Sequence, residues 1–250
     1  MKLIWPIIKD TGIYFWEELF YLVIYNLITF FAIAPSVIFW FSSASSDPPL
    51  SPLVAVPTSL LLASISPYLL FALFWTVYDI SEGKAIKFLS FFTIGWGQLK
   101  QAYIWWGINF LVLSIIAANI TFYGSLDASW RVYPSMLFFG ILIAWILTQT
   151  LALTLYPRLM EPGFRLASRN ALVIIAKHPI PILFTVFLCV VVVVLGVIVR
   201  PVGWFASIAF VATMLNMTTR KILKDLLQDE DEEEEEETFE PFGDMGLDDA

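Results

Sequence analysis

Three amide side chains, Asn26, Asn109 and Gln149, stand inside long apolar runs of this 250-residue chain. A carboxamide offers both a donor and an acceptor pair, and within a bilayer such a group must find a partner. Each amide lies about seven residues from the same-side end of its apolar run, which at 1.5 Å per residue places it roughly 10 Å deep. Thr148 and Thr150 flank Gln149. Two chemistries follow. The amides can cross-brace neighbouring helices by hydrogen bonds, worth about 0.6–2 kcal/mol each. Alternatively, Asn26, Asn109, Thr148 and Gln149 can form a polar layer lining a cavity open to one side.

Other reactive groups are sparse. His178 is the one histidine and Cys189 the one cysteine. A metal centre needs several such ligands, so no metal site is expected, and a single thiol inside an apolar run reads as buried and inert. No Ser–His–acid arrangement or phosphate-binding glycine loop occurs. An enzyme would have to work with Asp79, Glu82, Glu161 or His178 at the ends of the apolar runs, and the reading is therefore a non-enzymatic protein without a cofactor. No charged residue falls near the middle of a run, which argues against a proton- or sodium-coupled pump.

The elements that hold these amides are membrane helices. The chain is 59% hydrophobic and 14% charged, with mean hydropathy +0.79, too apolar for a soluble domain of this size. A spanning helix needs about 20 mostly apolar residues. The runs place six spans near Leu19–Phe41, Leu53–Tyr78, Ala102–Phe122, Tyr133–Tyr156, Pro181–Val199 and Val202–Met217. The fold class is all-α, a polytopic bundle of six transmembrane helices with two interfacial amphipathic helices.

Basic residues orient it. Lys2, Lys9, Lys84, Lys87, Lys100, Arg158, Arg165, Arg169, Lys177, Arg220, Lys221 and Lys224 fall on the side of the N-terminus, 12 of the 14 in the chain. Arg131 and Arg200 fall opposite. Cytoplasmic loops carry the Lys/Arg excess, so both termini are expected in the cytoplasm of a bacterial inner (plasma) membrane. No cleavable leader is expected. Residues 1–16 mix Lys2, Lys9 and Asp10 with Trp5, Ile7, Ile8 and Trp16 and read as an interfacial segment. Pro48, Pro49 and Pro52 exclude a continuous helix in the outer loop, and Pro67 predicts a kink in the second span.

Two connections on the N-terminal side, Ser81–Gln101 and Pro157–Ile180, each predict an amphipathic surface helix. Lys84, Lys87, Ser90, Gln98 and Gln101 share one face of the first, and Arg165, Ser168, Arg169 and Lys177 one face of the second. TVYDISEGK opens one unit and TLYPRLMEPGFR the other, a weak parallel repeat of span, surface helix and span. Lys84, Lys87, Arg165, Arg169 and Lys177 form the expected interaction face.

Residues 229–250 differ from the rest. Asp229–Glu237 is an unbroken acidic run, and the tail holds 13 carboxylates against a net charge of −8 for the whole chain. Residues 1–228 are therefore net positive and form the membrane domain. The tail is expected to be disordered by self-repulsion. It can solubilise, capture a basic partner or divalent cations, or fold back on the basic face. The expected partners are the bilayer and a protein at the basic face or tail, with no nucleic acid and an open oligomeric state.

YNLITFFAIAP, GKAIKFLSFFTIGWGQLKQAYIWWGINFLVL, LTLYPRLMEPGFRLASRNALVIIAKHPIPILF and LNMTTRKIL together resemble the YesL-like bacterial integral membrane proteins, over about residues 15–224. The usual glycine–proline pair after the first span is reduced to Pro35, and the acidic tail is unusual for that family. The resemblance implies an accessory role in carbohydrate uptake without a defined activity. Two functions stay open: an accessory or scaffold subunit, and a small-solute transporter or permease component with its site near the three amides.

Overall fold

The computed structural model describes residues 4–45, 64–127 and 129–238. Among the described residues it is all-helical: α1 Ile4–Glu17, α2 Leu19–Ser45, α3 Ser66–Ser81, α4 Ser90–Gly97, α5 Leu99–Ser125, α6 Val132–Leu155, α7 Phe164–Lys177, α8 Pro179–Ile198 and α9 Arg200–Thr238, with short 3₁₀ turns before and after α6.

Three helical stretches, Leu99–Ser125, Ser129–Arg158 and Pro179–Gly196, are long and apolar enough to cross a membrane. A fourth arises if α1 and the first part of α2 count as one broken span, bent by 87°. Among the described residues three to four helices therefore qualify as spans by length and composition, and the six expected are not supported. Two of the six are not among them. The run at Leu53–Tyr78 begins outside the described residues, and its described helix, α3, has 16 residues. The run at Val202–Met217 lies within α9, the middle of which is buried in protein: Ala209 and every residue from Ala212 to Thr219.

α9 is the centre of the bundle and packs against α8, α2, α3, α1 and α6. Leu22, Tyr25, Asn26 and Thr29, at helical spacing on α2, are all buried, and so face protein rather than lipid. α1 shows the same logic at its surface. Ile7 and Thr11 are buried, whereas Trp5, Ile8, Ile13 and Trp16 are exposed in a stripe. Phe15 packs edge-on against Phe210 at 5.2 Å, and Asp10 pairs with Lys221 at 2.5 Å. An amphipathic helix set at 87° to the next fits the interfacial segment expected there.

Pro67 does not kink a span. It sits in the first turn of α3, where a missing N–H costs nothing because those amides lack helical partners anyway. α3 stops at Gly83, whose φ of +72° suits a residue without a side chain. The single amphipathic helix expected over 81–101 is consequently broken. Lys84 and Lys87 lie in a non-helical link, and α4 is only eight residues long. Gly95 of α4 abuts α3: a Cβ there would meet Tyr68 Cε2 at 2.8 Å and Ala72 Cβ at 2.9 Å. The Tyr68 hydroxyl donates to Phe92 O at 2.9 Å, and the Tyr25 ring stacks on Phe91 at 4.3 Å.

The second surface helix forms as expected, as α7, with Ala167, Ala171 and Ile174 turned inward. The order helix, surface helix, helix thus occurs twice, in α3–α4–α5 and α6–α7–α8. The acidic run expected to be disordered continues α9 as far as Thr238. Pro48, Pro49 and Pro52, and the tail beyond 238, lie outside the described residues.

Candidate functional site

Asn109 on α5 and Gln149 on α6 come together. Asn109 Nδ2 donates to Trp105 O at 2.9 Å and to Gln149 Oε1 at 3.4 Å. Trp145 Nε1 donates to Asn109 Oδ1 at 2.9 Å, and Gln149 Nε2 donates to the Ser168 hydroxyl at 3.2 Å. The donors run one way, from Trp145 through Asn109 and Gln149 to Ser168, an arrangement in which each bond polarises the next. Thr148 takes no part, since its hydroxyl donates to Ala144 O one turn back at 2.8 Å.

Asn26 is elsewhere. Its Oδ1 accepts the backbone amide of Ala209 at 2.9 Å, tying α2 to α9. The four residues expected as one polar layer therefore fall into separate places, with only Asn109 and Gln149 in contact. An open apolar cavity of about 380 Å³ lies near the far end of α5 and α6, between Ile120, Gly124, Met136 and Phe139, and none of the amides lines it.

The chain ending at Ser168 fixes the roll of α7. With Ala167, Ala171 and Ile174 inward, Arg165, Arg169 and Lys177 are exposed, as are Lys84 and Lys87. Lys84 Nζ pairs with Asp79 at 2.7 Å, and this hydrogen bond holds the lysine above its ordinary pKa. All five expected face residues are thus accessible. They share one end of the bundle, because Glu82 at the end of α3 and Asp10 of α1 meet Arg220 and Lys221 of α9. His178, between α7 and α8, has its Nδ1 4.0 Å from Asp225 Oδ2 of α9 at the same end. No group of three or more His, Cys, Asp or Glu able to hold a metal occurs among the described residues.

A second polar cluster lies where α3, α6 and α9 meet. Arg158 Nη1 donates to Thr154 O and to Asn216 Oδ1, the latter at 2.9 Å, and Nη2 to Asn216 O at 3.3 Å. Its guanidinium carbon stands 4.8 Å from the centre of the Tyr78 ring. The hydroxyls of Thr154 and Thr219 are 2.6 Å apart, and those of Thr185 and Thr218 are 3.0 Å apart. Arg220 adds Glu82 at 3.5 Å and the Tyr14 hydroxyl at 3.4 Å. Sequence reasoning missed this cluster. The signal was LNMTTR, four polar residues among six, opening with Asn216, on a helix that is buried in the bundle.

Comparison with protein-family models, curated proteins and solved structures finds no match to this chain.

Proposed function

We propose that the protein is a non-enzymatic accessory or scaffold subunit of a bacterial inner membrane, holding a partner protein at its exposed basic face. Both termini lie in the cytoplasm in this reading, which rests on the 12 of 14 basic residues on the N-terminal side. The observation that carries it is the exposure of Lys84, Lys87, Arg165, Arg169 and Lys177 at one end of the bundle, on segments that buried contacts hold in place. α7 in particular is pinned by Gln149 through Ser168, so its cations are presented on a firm support, as recognition surfaces require. The amides favour bracing over solute binding: both polar atoms of Asn109 are engaged by Trp105, Trp145 and Gln149. The resemblance of the sequence to YesL-like proteins supports a partner among components of carbohydrate uptake.

The test is quantitative crosslinking and copurification from native membranes, comparing the full chain with a variant carrying glutamine at all five positions. A stoichiometric partner that is lost in the variant supports the proposal. Undiminished recovery of the same partner by a folded five-glutamine variant overturns it.

A further inference from the structure

The junction of α3, α6 and α9 holds three cations and two carboxylates. Lys84 is paired with Asp79 at 2.7 Å and Arg220 with Glu82 at 3.5 Å. Arg158 is largely buried and has no carboxylate within ion-pair distance among the described residues, Glu82 acting on it only at longer range. A desolvated cation without a counter-ion is costly.

The bonds that Arg158 does make leave a specific gap. Asn216 takes its end-on pair, with Oδ1 on Nη1 and the backbone oxygen on Nη2, and Thr154 O takes the other Nη1 proton. What remains is Nε–H and the outer Nη2–H. These two form the side-on fork, which binds two oxygens of a carboxylate or phosphate in parallel. The Tyr78 ring lies against the guanidinium, its centre 4.8 Å from Cζ. Arg220 stands close by, because Asn216 and Arg220 are one turn apart on α9, while Tyr78 and Glu82 are one turn apart on α3. The Asn216–Arg158–Tyr78 contacts and the Arg220–Glu82 pair are thus successive rungs between the same helix faces.

We propose that the free fork of Arg158, supported by Arg220, is a binding site for a phosphate group, carried either by a free phosphate compound or by a phospholipid headgroup. Glu82 is the internal competitor: its carboxylate engages Arg220 through a long contact and supplies the negative charge that a bound phosphate replaces. This site adjoins the exposed basic face at Lys84 but is built from Arg158 and Arg220, which that face does not include, and it stands whether or not the face binds a protein.

The experiment uses the full chain with two probes. Inorganic phosphate is titrated into detergent-purified protein by calorimetry, and the protein is reconstituted with phosphatidylglycerol or with phosphatidylcholine alone and its thermal stability compared. Saturable phosphate binding in detergent identifies a free phosphate compound. Stabilisation confined to phosphatidylglycerol identifies a headgroup. Arg158→Lys keeps the charge and loses the fork, and it is expected to weaken binding by about tenfold, the order of one charge-assisted hydrogen bond. Glu82→Gln, which leaves Arg158 untouched, is expected to tighten it severalfold. Absence of response to both probes overturns the proposal, as does equal binding by wild type and Arg158→Lys or unchanged affinity in Glu82→Gln.

Discussion

The one-way hydrogen-bond chain from Trp145 to Ser168 makes a prediction about order as well as size. Replacing Asn109 by Leu removes the acceptor of the Trp145 indole and one donor to Gln149. The Trp145 bond is the shorter, at 2.9 Å, and the Gln149 contact is 3.4 Å, near the limit at which a hydrogen bond still contributes. Pair couplings inside membrane proteins average about 0.6 kcal/mol and reach about 1.7. Double-mutant cycles should therefore give about 1–1.5 kcal/mol for Asn109→Leu with Trp145→Phe, and below about 0.5 for Asn109→Leu with Gln149→Leu. The single Asn109→Leu change should cost about 1.5–3 kcal/mol, because it strands a donor and an acceptor together. Reversible unfolding in mixed micelles of rising sodium dodecyl sulfate content, followed by helicity so that losing Trp145 does not bias the signal, measures all of these. A stability change under about 0.3 kcal/mol for Asn109→Leu would refute the bracing role. A larger coupling to Gln149 than to Trp145 would refute the geometry.

Other outcomes follow from particular contacts. Gly95→Ala should destabilise by about 1–3 kcal/mol, because its Cβ would meet Tyr68 and Ala72 below 3.0 Å; Gly97→Ala, with open space around it, is the control in the same unfolding assay. Asn216→Leu should cost about 1.5–3 kcal/mol through the lost bond to a charged group, and a drop in unfolding midpoint no greater than that of an exposed Leu111→Ala change would count against it. Lys84→Met should cost no more than about 1 kcal/mol at neutral pH. Since the folded lysine titrates above its ordinary value, that contribution is complete below the unfolded lysine pKa and is lost as pH rises through the folded one, which a pH series on wild type and variant would reveal.

The sequence showed the helical class, the surface helix at Arg165–Lys177 and the pairing depth of Asn109 with Gln149, because each rests on a local pattern: apolar length, amphipathic spacing, distance from a helix end. It did not separate Asn26 from the other amides. Equal depth says nothing about which face of a helix a residue occupies, and Asn26 faces Ala209 on α9. Span counting from the apolar runs gave six, whereas three to four helices among the described residues are long and apolar enough. Arg158 was read as one more loop cation, since its burial depends on Asn216, 58 positions later. Such contacts between distant segments leave no periodic trace in either one.

The central helix is also the last in chain order among the described residues. α9 follows every helix that it touches, so α1, α2, α3, α6 and α8 are synthesised before their common core exists. Until residues 209–219 emerge, Asn26 lacks Ala209, Thr154 lacks Thr219 and Arg158 lacks Asn216. Assembly is therefore gated by completion of translation through α9. A chain stopped before Asn216 would hold the other helices without the one that joins them.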